Sequence, residues 1–196
     1  MNLHRAVKFE AERDRDFAQW IGHTIGGEKL SHCLQCGLCS GTCTLSLYMD
    51  RTPRQLMYLA REGFKSEVLG SFSIWLCTSC YACTVECPKQ INITELMYVL
   101  KERAIEEKLY PRRFAVPVMA QCFSRMVRGS GRITESRLIL QVFLRTAFWR
   151  LLRMSKLGIR LFGAGRMTLK RETIERRREI PALMHAVEAA KKELAL

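Results

Sequence analysis

Apolar positions along this chain recur at helical spacing. Phe17, Trp20, Ile21 and Thr24 fall at i, i+3, i+4 and i+7 behind Asp14 and Asp16, either of which can cap, so a short helix is expected over 14–24. Gly26-Gly27 ends it. Thr52-Pro53-Arg54-Gln55 opens another, with a hydroxyl cap, proline at the first helical position and glutamine to complete a capping box. Leu56, Met57, Leu59 and Ala60 form its apolar side and Gly63 stops it. A shorter helix over about 66–69 precedes Ile74-Trp75-Leu76. Asn92 or Thr94 then caps a helix running to about Lys108, with Leu96, Met97, Leu100 and Ala104 inward. Pro111 and Pro117 break the pattern. Residues 135–162 read as one or two basic, apolar helices carrying Leu138, Ile139, Val142, Phe143, Phe148, Trp149, Leu152, Leu157 and Leu161. Gly163 and Gly165 interrupt, Arg176-Arg177-Arg178 forms a charged turn, and a last helix starts near Pro181 with Leu183, Ala186, Val187, Ala190 and Leu194 in register. The expected fold class is all-α.

Between these helices lies one pattern written twice. Cys33, Cys36, Cys39 and Cys43 form a C-x2-C-x2-C-x3-C run, and Cys77, Cys80, Cys83 and Cys87 repeat it 44 residues later. Three close cysteines let a short loop wrap a cubane iron–sulfur cluster, while the fourth, after a longer gap, is aimed at the neighbouring cluster. The spacing therefore predicts two [4Fe–4S] clusters with crossed ligation: Cys33, Cys36, Cys39 and Cys87 on one, Cys77, Cys80, Cys83 and Cys43 on the other. Zinc would close on four ligands, commonly two C-x2-C pairs with a long spacer, and leave thiolates over. The runs are too cramped for mutual disulfides. Gly37 and Gly41 are expected to let backbone pass close to the cluster. Pro88 follows Cys87, as is usual in this pattern, whereas Thr44 follows Cys43. Helices rather than hairpins link the motifs, which argues for an α-helical ferredoxin-like dicluster domain over 1–110, with the motifs inside 14–108, and against the small β-rich type.

Charge divides the chain at the same place. Residues 1–100 carry ten basic and ten acidic side chains, so the whole net charge of +13 falls on 101–196. Within 111–165 eleven basic residues face one acid, Glu135. Residues 111–196 thus read as a basic helical appendage whose apolar residues exceed what its size can cover, and partner docking is its expected role, with a peripheral lipid contact as the rival. Its bases sit among bulky aliphatics, which argues against nucleic acid. The first residues carry charges of both signs and show no secretory leader, and no uncharged run reads as a membrane span, so a cytoplasmic location is expected. His4, His23, His32 and His185 show no ligand spacing, and Cys122, the one cysteine outside the motifs, reads as a small buried hydrophobe.

The Cys33-Leu-Gln-Cys36-Gly opening, Thr52-Pro53-Arg54 and the Ile74-Trp75-Leu76-Cys77-Thr-Ser-Cys80-Tyr81-Ala-Cys83 entry resemble the C subunit of heterodisulfide reductase over about residues 20–110. Thr44 is the departure inside the motifs. The resemblance implies an electron-transfer subunit placed between a flavin-bearing A subunit and a cysteine-rich B subunit that acts on a disulfide or thiol. This chain lacks the Cys-Cys-Gly repeats of such a catalytic subunit, and it lacks a dinucleotide-binding glycine fingerprint. It is therefore expected to have no catalytic site of its own. The rival assignment is the iron–sulfur subunit of a quinone-linked dehydrogenase. The succinate type would add a C-x4-C-x2-C site and the glycerol-phosphate type Cys-Cys-Gly repeats; neither is present.

Overall fold

The computed structural model describes residues 9–110, 114–166, 170 and 173–194, save for the side chains of 151 and 191–194. His4, Pro111 and the Leu194 side chain lie outside them. The described residues are helical throughout their regular structure and contain no strand, as the apolar spacing predicts. They divide into two units, Met1–Pro111 and Arg112–Leu196.

In the first unit, α1 (Arg15–His23) begins at Asp14, whose carboxylate accepts the Phe17 N–H at 2.9 Å. Asp16 sits instead in the first turn, where a negative charge suits the helix dipole. Phe17 and Ile21 are buried, and Trp20 stacks on Phe17 with the Arg103 guanidinium 4.9 Å from its ring centroid. Helix α1 packs on α3 once the cysteine loop and its short α2 (Leu38–Gly41) have passed; α3 (Pro53–Arg61) packs on α4 (Lys65–Leu69), and α4 on α7 (Ile93–Glu106). Between them, α5 (Ser73–Leu76) and α6 (Ala82–Val85) also lie on α7. Leu56, Ala60, Val68, Leu69, Ile74, Leu96, Leu100 and Ala104 are fully buried at these contacts. Each large aliphatic there stabilises the fold by roughly 1.5–3 kcal/mol relative to exposure.

The loop after α1 must pass very close to the start of α7. A Cβ on Gly26, whose φ is +86°, would stand 2.6 Å from the Asn92 carbonyl oxygen and 2.8 Å from the Leu96 nitrogen. Only glycine fits.

The second unit departs from expectation in two places. Helix α8 (Ala115–Ser130) forms across Pro117, which the sequence marks as a breaker. Proline there is the third helical residue, and the first four amides of a helix have no intrahelical acceptor to lose. Residues 135–163 make three helices, α9 (Glu135–Thr146), α10 (Phe148–Arg153) and α11 (Ser155–Gly163), because Ala147 leaves the helical region (φ −156°, ψ 65°) and Met154 breaks the second junction. A 3-10 turn at Arg177–Glu179 leads into α12 (Ile180–Leu194), which packs on α8, as α8 does on α9. Cys122 is buried, with the Arg145 Nη1 3.6 Å from its sulfur. Of the apolar residues expected over 135–162, none of those described is buried: Trp149 is 80% exposed and Ile159, beside them, 72%. No helix among the described residues is long and apolar enough to cross a membrane.

Candidate metal centre

The sequence repeat is also a repeat of conformation. A short helical turn leads to each first cysteine: Leu30–His32 ends at Cys33 and α5 ends at Cys77, with nearly the same extended geometry (φ −62°, ψ 117° and φ −58°, ψ 114°). Two residues later Gln35 and Ser79 turn left-handed (φ 56° and 60°), and so do Gly37 and Tyr81 (88° and 62°). These alternations coil the loop. Helices α2 and α6 then begin at equivalent residues, 38 and 82, and pack on each other. Gly37 supplies the positive φ, and among the protein's own atoms a Cβ there would meet only the Arg54 Cδ, at 3.6 Å. At Gly41 a Cβ would meet no protein atom within 4 Å. Tyr81 adopts the left-handed geometry with a full side chain, at a cost of order 1 kcal/mol, and its hydroxyl donates to Glu95 at 2.7 Å.

The helix that follows each motif is tied back to its cysteine loop. The Ser40 hydroxyl accepts the Arg54 N–H at 2.9 Å, and the Thr84 hydroxyl, 44 residues on, accepts the Thr94 N–H at 3.1 Å. Both amides are at the second position of their helix, so both are orphan donors satisfied from outside. Asn92, expected as a cap, makes no side-chain cap bond, and Thr94 lies buried inside α7 with its hydroxyl 3.0 Å from that of Thr84. At α3 the Gln55 side chain accepts the Thr52 N–H at 2.9 Å, as the capping-box pattern predicts. Cations clamp the loop entrances: Arg61 donates to the Cys33 carbonyl at 3.1 Å and Lys101 to the Cys77 carbonyl at 3.0 Å. The exits match despite Thr44, since Ser46 N–H bonds to the Cys43 carbonyl as Gln90 N–H does to that of Cys87 (3.1 and 2.9 Å).

These loops surround two cavities. The first is lined by Cys33, Cys36, Cys39 and Cys87 together with Met57, Ile91 and Ile93. The second is lined by Cys77, Cys80, Cys83 and Cys43 with Pro53, Thr94 and Met97. Each cavity thus gathers three cysteines of one motif and the fourth of the other. Among the described residues no three His, Cys, Asp or Glu side chains stand together as a single-ion site would need. Four thiols spread around an apolar space suit a polynuclear cluster better than one zinc ion bound at about 2.3 Å.

Burial pushes the Cys39 thiol up from 9.0 to about 11, against a lowering hydrogen bond from Ser40, and it raises Cys83 in the same sense. Both thiols are protonated at neutral pH without metal. The Gln35 amide donates to the Cys33 sulfur at 3.3 Å, and the Ile91 N–H to the Cys87 sulfur at 3.5 Å; the Thr94 hydroxyl lies 3.8 Å from the Cys83 sulfur. Sequence reading passed over Gln35, Ser40, Thr84, Arg61 and Lys101. Of these only the hydroxyl one residue after each third cysteine was visible as a repeated feature.

Residues 29–91 match the model of the 4Fe-4S dicluster domain. The C subunit of the H2:CoB-CoM heterodisulfide, ferredoxin reductase of Methanothermobacter thermautotrophicus is 32% identical over 91 residues, 46% of this chain and 49% of that protein. The C subunit of the ferredoxin/F420H2-dependent CoB-CoM heterodisulfide reductase of Methanosarcina acetivorans is 33% identical over 98 residues, 49% of this chain and 60% of its own. Over these stretches the chain is similar to heterodisulfide reductase C subunits. It spans about half the length of the relatives it matches, and the dicluster match identifies an iron–sulfur protein.

Proposed function

We propose that this chain is a one-electron relay carrying two [4Fe–4S] clusters, one held by Cys33, Cys36, Cys39 and Cys87 and the other by Cys77, Cys80, Cys83 and Cys43. The observation that supports this is the division of the eight cysteines between two cavities, each borrowing its fourth cysteine from the other motif. Bound there, each cluster supplies reversible one-electron chemistry at iron and sulfide. The chain's own residues fix the two sites relative to each other, because every motif contributes to both cavities. Cys36 and Cys80 are exposed, so each site has an edge that a partner can approach. The eight thiolates fill two four-cysteine sites and leave no open position for a substrate, so catalysis belongs to a partner.

Relatives named as subunits of heterodisulfide reductases point to a complex of several subunits. On this reading the partners are a flavin-bearing A-type subunit and a cysteine-rich B-type subunit acting on a disulfide or thiol. The exposed, basic second unit docks on an acidic partner surface.

Anaerobically purified chain should hold about eight iron and eight sulfide, and show two cluster signals in electron paramagnetic resonance. Cys36→Ser and Cys87→Ser should perturb one signal, and Cys80→Ser and Cys43→Ser the other. Pairing of Cys43 with Cys36 would overturn the exchanged assignment. With an artificial mediator, the isolated chain should neither reduce nor oxidise a disulfide; turnover by this chain alone would end the relay reading.

A further inference from the structure

The repeat keeps its backbone but not its charges. The first cavity is lined by two cations, Arg54 and Lys89, and by no acid. The second is lined by no charged side chain. Lys89 follows Cys87 by two residues, and the residue that follows Cys43 by two, lining the second cavity, is Leu45. The clamps Arg61 and Lys101 occupy matching places on the two loops and do not distinguish them. Hydrogen bonding differs in the same direction as charge. Two N–H donors, from Gln35 and Ile91, reach sulfurs of the first set at 3.3 and 3.5 Å, while the second has the Thr94 hydroxyl at 3.8 Å. At the second rim, Tyr81 hands its hydroxyl proton to a hydrogen bond with Glu95, which places a carboxylate beside that loop. Its counterpart in the first motif, Gly37, has no side chain to do so.

A reduced cluster carries one more negative charge than an oxidised one. Cations and N–H donors near the thiolates therefore favour the reduced state, and a nearby carboxylate disfavours it. Resting on the two-cluster reading above, we propose that Arg54, Lys89 and Gln35 make the Cys33/Cys36/Cys39/Cys87 site the higher-potential one. An electron entering the chain then settles there, and runs downhill from the Cys77 side to the Cys33 side: one electron lost at the second site is one gained at the first, with no proton required.

The test is a potentiometric titration of the anaerobically purified full chain, followed by electron paramagnetic resonance. Two separate midpoints are expected. Arg54→Gln with Lys89→Gln should move the higher one downward and leave the lower in place. Both side chains are exposed, so the fold should tolerate the change. Glu95→Gln should move the lower midpoint upward and leave the higher one in place. A single shared midpoint, or a shift of the lower midpoint in the Arg54/Lys89 variant, overturns the ordering while leaving the two-cluster reading standing. Absence of iron and of any cluster signal overturns both.

Discussion

Cys39 illustrates how much a single side chain is asked to do. Its burial favours the neutral thiol, with a pKa of about 11, yet the cluster-ligand role proposed for it needs a thiolate. Binding must therefore release a proton, and the deprotonated fraction grows as pH rises toward that value. Cluster assembly into the metal-free chain should be tighter at pH 9 than at pH 7, measured by competition against a chelator; equal affinity at both would contradict it. Asp50 carries the opposite shift. Partial burial would by itself raise its carboxyl, but hydrogen bonds from the Ser73 and Ser71 hydroxyls and from the Ser73 and Phe72 amides hold it below its ordinary value of 3.8. A depressed carboxyl stabilises the fold above 3.8, and the contribution is lost as pH falls through the folded-state value. Asp50→Asn should cost roughly 1 kcal/mol at pH 7, reduced by solvent exposure, and urea denaturation should show the gap from wild type closing under acid.

Among the helices, the two caps explain why the cysteine loops and the core fold together. Ser40 and Thr84 each lie one residue after a third cysteine and satisfy the second amide of α3 and of α7. Loop conformation and helix start are thereby one unit, so metal binding stabilises the helices as well as the loops. Gly26 makes the other close junction, against the beginning of α7. Gly26→Ala would press a methyl group into the Asn92 carbonyl and force a strained φ, so a loss of more than about 1 kcal/mol is expected in urea denaturation. A neutral result would mean the loop moves away without penalty.

Across the whole chain the two units differ in what they bury. The first unit has a core of fully buried aliphatics, among them Leu56, Val68, Leu69, Ile74, Leu96 and Leu100, whereas none of the described apolar residues of α10 and α11 is buried, and Phe148, Trp149, Leu152, Leu157, Ile159 and Phe162 stand exposed beside Arg150, Arg153, Lys156 and Arg160. Such a surface is costly in water unless covered, and its cations favour an acidic facing surface. Replacing these four cations by glutamine in the full chain should weaken assembly with the partner subunits by roughly ten-fold or more and leave the cluster signals unchanged. Binding to anionic vesicles that the same variant loses would assign the surface to lipid; unchanged assembly and no vesicle binding would refute docking through it.

The cysteine spacing is a local property, and so are the apolar periods of α1, α3 and α7; each is set by residues within a turn or two of one another, and the sequence alone therefore determined the all-α class and the repeated thiolate motif. Pro117 and Ala147 misled for a local reason too, since a proline in the first turn costs no hydrogen bond and a single non-helical residue leaves no mark on an apolar period. Tertiary structure decided which hydroxyl caps which helix, because Ser40 and Arg54 are 14 residues apart and Thr84 and Thr94 ten. It also decided that Arg54 and Lys89 line one cavity and no charge lines the other. These residues are brought together only when α3 and the turn after Cys87 close on the same space, and no periodicity in the chain encodes that meeting.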